Sequence, residues 1–334
     1  MAFSLHDRID SLPSFDELPK VADLPQGCTW GFWDRGGVKD ELGTLNLLTP
    51  EVVREAYKEL SEGVSVSLGW QLNKPAAPNF NRTPLKHTLL DHNDFSPYHG
   101  FDDEVTFNTQ CSSQWDGLRH HSQGTTRKFY NGITKAEFKD SNVLGIDRWS
   151  TRGGIVARGV LVDYVAYAAR HSISYSPITT HRIPHTALIA AAEEQGMEFK
   201  QGDMLLVRSG FTKWYNSMSE TEEDRRARDE ITASKFEYVG VEPTEESVRW
   251  MWERHFSAVA GDAPAWECLP YKPGGLLFHD FFLSLWGTPI GEFWDLEELA
   301  ATCERLGRWS FLVTSAPLNV PGGVASPPNA LALF

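Results

Sequence analysis

Three short apolar runs, each closed by a charged residue, set the tightest limit on how this chain can fold. They are Gly159-Val160-Leu161-Val162-Asp163, Met204-Leu205-Leu206-Val207-Arg208 and Ala258-Val259-Ala260-Gly261-Asp262. Short apolar runs without polar alternation belong to strands covered on both faces. Helical segments separate them. Thr186 to Glu194 reads as a helix stopped by Gly196, and Thr244-Glu245-Glu246-Ser247 caps another that continues through Glu253. Intermixed strands and helices predict an α/β chain.

The remaining elements are read from caps and alternation. Thr49-Pro50-Glu51 opens a helix stopped by Gly63, with Thr49 as N-cap and Pro50 at the first helical position. Val64 to Leu68 alternates as a strand, Leu296 to Leu306 reads as a helix, and Phe311 to Thr314 as a late strand. The first 50 or so residues are rich in turn formers, residues 75–100 read as a long loop, and Pro317 to Pro328 as another. Ser217 to Arg228 reads as a solvated, charged helix face. No composition break divides the chain, so one domain over 1–334 with a loop-rich N-terminal extension is expected rather than two.

Charge and cysteine usage exclude several functions. With 31 Lys plus Arg against 45 Asp plus Glu, the net charge is −14, which disfavours nucleic acid and anionic membranes as partners. Cys28, Cys111, Cys268 and Cys303 form no C-x-x-C pair and no secreted disulfide framework. No apolar stretch reaches membrane-spanning length, and the first 20 residues lack a signal-peptide pattern, so a cytoplasmic protein is expected. Phosphate-loop, dinucleotide, nucleophile-elbow and H-E-x-x-H motifs are all missing.

Two segments carry candidate chemistry. In Gln110-Cys111-Ser112-Ser113-Gln114-Trp115-Asp116-Gly117-Leu118-Arg119-His120-His121, a carboxylate precedes a histidine by four residues. An extended backbone there would place Gln110, Gln114 and Asp116 on one face. In the second, His279 follows the strand-like Leu276-Leu277-Phe278, and Glu292 follows Pro289-Ile290-Gly291. A histidine with two carboxylates suits zinc or manganese. A buried structural histidine and a helix-initiating acid would give the same spacing, and both readings stay open on spacing alone.

These segments resemble the metal-dependent cyclase family, which includes bacterial kynurenine formamidase and isatin hydrolase. Its signature is H-x-G-T-H-x-D-x-P-x-H. Gln110 to His120 occupies that signature, Arg158 to Asp163 resembles the family's R-G-V-L-x-D strand, and Gly202 to Gly210 its Gly-Asp strand. His279 and Pro289 to Leu296 match its last block, and Asp40 to Asn46 resembles a longer subgroup. The resemblance implies a swivelling β/β/α fold, a mixed β-sheet core with flanking helices. It implies a hydrolase acting on an amide, lactam, lactone or ester of a small molecule, with a lyase, isomerase or cyclase, or a degenerate binding protein, as the alternatives.

By the same resemblance, Asp116, His279 and Glu292 are metal ligands, His120 is the general base or proton shuttle, and Glu292 also moves protons. Both signature histidines are glutamines here, Gln110 and Gln114, and the signature proline is Leu118. An amide oxygen is a weak, hard ligand, so one divalent ion, Zn or Mn, is expected, with Gln110 and Gln114 as further ligands or substrate contacts and a second ion left open. Trp115, Trp286, Phe293 and Trp294 flank the mapped ligands and are expected to line a substrate pocket. A homodimer or homotetramer is expected as well.

Overall fold

A computed structural model describes residues 12–334; the part of the loop-rich extension before residue 12 lies outside the described residues. Thirteen strands are present among them. They are β1 (Ser65–Ser67), β2 (Lys86–Asp91), β3 (Phe101–Thr106), β4 (Gln114–Asp116), β5 (Ile155–Asp163), β6 (Arg182–Ile183), β7 (Met204–Arg208), β8 (Gly240–Val241), β9 (Ala258–Gly261), β10 (Ile290–Glu292), β11 (Ser310–Ser315), β12 (Ala325–Ser326) and β13 (Ala330–Leu333). Nine of them form one sheet in the order β1-β13-β11-β5-β7-β9-β10-β4-β12. The centre, β5 to β10, is parallel, and both flanks are antiparallel. This mixed sheet with helices packed on it is the α/β architecture that the resemblance implies.

The three apolar runs are β5, β7 and β9, and both of their faces are covered. Val160, Val162, Leu205, Val207 and Val259 face one apolar cluster. Leu161, Met204, Leu206, Ala258 and Ala260 face a second. Alternate residues of a strand point to opposite sides, so a run without polar positions serves two cores at once.

The charged residues that end the runs knit the strand ends together. Arg208 donates to both oxygens of Asp163 at 3.0 Å and to Glu297 at 2.7 Å. Asp262 accepts from Ser209 N, Ser209 Oγ and Gly210 N at 2.6–2.7 Å. The expected helices are present at Pro50–Ala56, His185–Glu194, Glu245–Glu253 and Glu297–Leu306, and Thr49 caps the first through its side chain. No helix among the described residues is long and apolar enough to cross a membrane.

Three readings change. Residues 75–100 are not all loop, since β2 pairs with β3 in an antiparallel hairpin. Its residues are exposed or half-buried, so no buried-face alternation announced it. Leu276 to Phe278 is not a strand but leads into a helical turn at Asp280–Trp286, of the wide π type, with Phe278 stacked at 5.0 Å on Phe282 of that turn. Within the Pro317 to Pro328 loop and after it, β12 and β13 add to the sheet, β13 between β1 and β11.

Candidate active site

The neighbouring antiparallel strands β4 and β10 set Gln114 opposite Glu292 and Asp116 opposite Ile290. Opposed residues share a face, so Gln114, Asp116 and Glu292 project together while Trp115 and Gly291 project to the other side. On that other side there is no room for a side chain at Gly291: a Cβ would lie 2.7 Å from both Ala260 Cβ and Trp294 Nε1. Close packing behind the strand thus holds the polar face in place.

Asp116 is fully buried, and its two oxygens have different surroundings. Oδ1 accepts from Gln110 Nε2 at 2.7 Å and from Gln114 Nε2 at 3.2 Å. Oδ2 has no hydrogen-bond partner. It lies 3.7 Å from His120 Nε2 and 3.8 Å from His279 Nε2, beyond hydrogen-bond reach. The ligand atoms of Asp116, His120 and His279 lie within 4.8 Å of one another. Donors around an ion with bonds of ~2.1 Å sit roughly 3.4 Å apart, so the spacing fits a shared cation better than direct contact. An orphaned carboxylate oxygen facing two imidazole nitrogens is the donor chemistry such an ion takes.

Glu292 stands beside this group. Its Oε1 is 3.3 Å from His279 Nε2, and its Oε2 accepts from Gln114 Nε2 at 2.7 Å. Gln114 Oε1 is a second buried oxygen without a partner. Gln110 is tied by its carbonyl to Arg82 at 2.9 Å, and its Nε2 sits 3.0 Å from His120 Nδ1.

Electrostatics divide the site. Burial raises Asp116, but the neighbouring His120 and His279 more than offset it and hold the carboxyl at about 2. Burial and the Asp116 charge push Glu292 up to about 7. Burial drives His120 down to about 4, with Asp116 only partly opposing it. Burial also pulls His279 down, but Tyr271 and the carboxylates of Asp116, Glu267 and Glu292 outweigh it and leave its pKa well above the ordinary 6.5. The His120 imidazole is therefore neutral, the ligand form, whereas His279 holds a proton that a cation would displace.

All six polar residues singled out in the sequence meet here: Gln110, Gln114, Asp116, His120, His279 and Glu292. Gln110 reaches the others from a turn rather than from an extended segment. The aromatic pocket does not form. Trp115 packs edge-on against Trp294 and Trp149 on the far face of the sheet and donates to Ser315 Oγ. Trp294 donates to Gln114 O, and Trp286 to Gly27 O from within the other core. Phe293 is buried with Trp70 and Phe211. For Trp115 strand alternation explains the correction: it lies between Gln114 and Asp116 on β4 and so points away from them.

Glu267 carried no sequence signal beyond being an acid inside the apolar Ala265-Trp266-Glu267-Cys268-Leu269. It is fully buried and accepts three N–H groups: Phe278 N at 2.5 Å, His279 N at 3.1 Å and His279 Nδ1 at 2.6 Å. It thereby aims His279 Nε2 at Asp116. His121 and Asp280 form another pair, 2.7 Å apart, beside the His279 ring.

A family model described as "putative cyclase" matches residues 49–268. A crystal structure described as a novel cyclase is 29% identical, covering 92% of this chain and 99% of its own, with a TM-score of 0.78. Isatin hydrolase A from Ralstonia solanacearum is 17% identical, covering 85% of this chain and 98% of its own, with a TM-score of 0.56. An isatin hydrolase bound to the product analogue thioisatinate is 15% identical, covering 83% and 94%, also with a TM-score of 0.56. The two isatin hydrolases share the fold. No curated protein matches the chain.

Proposed function

This chain belongs to the cyclase family, and from that premise we propose that it is a metal-dependent hydrolase opening an amide, lactam, lactone or ester bond of a small organic molecule. The observation that carries the reading is the unpartnered Asp116 Oδ2, buried between two imidazole nitrogens. Asp116, His120 and His279 would hold one divalent ion, zinc or manganese, with Glu292 and the free Oε1 of Gln114 adjoining. When bound, such an ion lowers the pKa of water toward about 7 and polarises a carbonyl.

The chain's own residues supply the rest. Gln110 and Gln114, which stand where the family signature has histidines, donate to one oxygen of Asp116 and so turn the other toward the imidazoles. Glu292 is the group suited to proton transfer: its carboxyl is poised near neutrality, and the Gln114 amide fixes it. In this arrangement Glu292 takes the proton of the attacking water and returns it to the departing nitrogen or oxygen. On this reading His120, which the resemblance implies as the base, serves as a ligand, a role supported by the closeness of its ring nitrogen to the Asp116 and His279 donors.

A screen of amides, lactams, lactones and esters with Zn²⁺ or Mn²⁺ tests the reading. The expected result is chelator-sensitive turnover to a product heavier by one water. Turnover without that gain would indicate a lyase or ring-closing enzyme, and protein that takes up neither ion would exclude the metal assignment. Zinc affinity, measured by calorimetry, is expected to rise with pH through neutrality, with proton release on binding. His279 holds its proton well above the ordinary range and must give it up to bind. A pH-independent affinity would remove His279 from the ligand set.

A further inference from the structure

Arg82 stands at the edge of the site with most of its guanidinium unused. Among the described residues its side chain makes one hydrogen bond, from Nη1 to Gln110 O at 2.9 Å, and no ion pair. Nε and Nη2 have no protein acceptor there, and neither is sealed from solvent.

The local backbone fixes this position. Arg82 N donates to Asn79 O at 3.1 Å, closing a turn whose central residues, Phe80 and Asn81, have φ of +56° and +54°. Left-handed backbone is unfavourable for an aromatic residue and persists only where its surroundings hold it, most often at functional sites. Here Phe80 packs edge-on against Phe236 at 5.2 Å, and the Arg82 guanidinium lies over the Phe80 ring at 5.0 Å.

The anchor ties the guanidinium to the site. Gln110, whose carbonyl Arg82 holds, donates from Nε2 to Asp116 Oδ1 at 2.7 Å, and that nitrogen lies 3.0 Å from His120 Nδ1. Arg82 is thus one residue removed from the reacting groups. The acids nearest it are engaged elsewhere: Asp116 with Gln110 and Gln114, Glu292 with Gln114 and His279. In a chain of 45 acidic residues, a guanidinium beside the site that none of the described ones pairs with is available to an incoming anion.

We propose that Arg82 recognises the substrate, and that the substrate carries a carboxylate in addition to the bond that is opened. The inference rests on the hydrolase reading above and narrows its substrate class. A carboxylate takes the Nε–Nη2 edge of a guanidinium through two parallel hydrogen bonds, which leaves Nη1 on Gln110 O. With its carboxylate seated there, a small molecule extends past Gln110 toward Asp116 and Glu292. A neutral amide offers the same edge one oxygen and no charge, so the acid is preferred to its own amide.

Calorimetric binding of two acid–amide pairs, benzoate with benzamide and N-benzoylglycine with N-benzoylglycinamide, tests the assignment. It is measured on metal-free and zinc-loaded protein, since the metal-free arm excludes direct binding of the carboxylate to the ion. The wild type is expected to prefer the acid of at least one pair by about 10- to 100-fold in both arms. Arg82→Gln is expected to lose that preference with wild-type zinc content and circular dichroism, and Arg82→Lys to retain part of it as a point charge without the fork. A wild type that prefers neither acid, or an Arg82→Gln protein that keeps the preference, would overturn the assignment. Loss of zinc from Arg82→Gln would overturn it too, by showing that Arg82 serves to hold Gln110. An Arg82-dependent acid preference without turnover of any screened compound would uphold the carboxylate site and count against the hydrolase reading. Turnover of neutral compounds without any acid preference would do the reverse.

Discussion

Replacing Asp116 with alanine is expected to strip the bound ion and lower kcat/KM by roughly a thousandfold or more, about 4 kcal/mol of transition-state stabilisation. The size of the effect follows from where the charge sits. Asp116 is fully buried yet held ionised, and it is the acceptor for both glutamine amides and the anion nearest both imidazoles. Without it, the amides lose their shared acceptor and the two histidines lose the charge that makes their nitrogens attractive to a cation. Asp116→Asn separates charge from shape. It preserves volume and strand packing, since Trp115 and Gly291 lie on the other face, but it brings two donor hydrogens toward the Gln110 and Gln114 amides. Both variants should keep the fold, checked by circular dichroism, and both should be metal-poor by elemental analysis. Normal metal content in Asp116→Asn would show that its charge is not what holds the ion.

How much of this could be read from the sequence depended on whether a residue's role was local. β5, β7 and β9 were legible because strands covered on both faces need unbroken apolar runs. The helix at Pro50–Ala56 was legible because Thr49 and Pro50 are a chemical start signal. The β2–β3 hairpin was not, because exposed strands carry no burial pattern. The polar site could be named residue by residue because a family signature preserves order. Its depth comes from the pairing of β4 with β10, and its division between a free and an occupied oxygen of Asp116 from the turn that brings Gln110 onto the strand. The aromatic residues misled for a related reason. Proximity in sequence placed Trp115 and Trp294 near the ligands, but the alternation of β4 carries Trp115 through to the opposite core, where the two rings pack together.

Glu267 shows what only the assembled chain reveals, and Glu267→Gln is expected to weaken zinc binding by about 10- to 100-fold while leaving the fold intact. Three N–H groups converge on this carboxylate, two from the backbone at Phe278 and His279 and one from the imidazole. A carboxylate has acceptor sites for all three, whereas an amide offers one oxygen and adds two donors where donors already point. The amide introduced by Glu267→Gln therefore either keeps both His279 groups on its oxygen and sets its NH2 against Phe278 N, or keeps Phe278 N and abandons both the His279 backbone and ring. When the ring loses, Nδ1 no longer has a fixed acceptor, and Nε2, the nitrogen that gives up its proton to a cation, is no longer held toward Asp116 and Glu292. The effect should appear as lower affinity in a chelator competition, with the dissociation constant rising before any change in melting temperature of the metal-free protein. Equal losses of metal-free stability and affinity would mean that the carboxylate mainly ties the Asp280–Trp286 turn to the body. Unchanged affinity would mean that His279 is oriented by Asp116 and Glu292 alone.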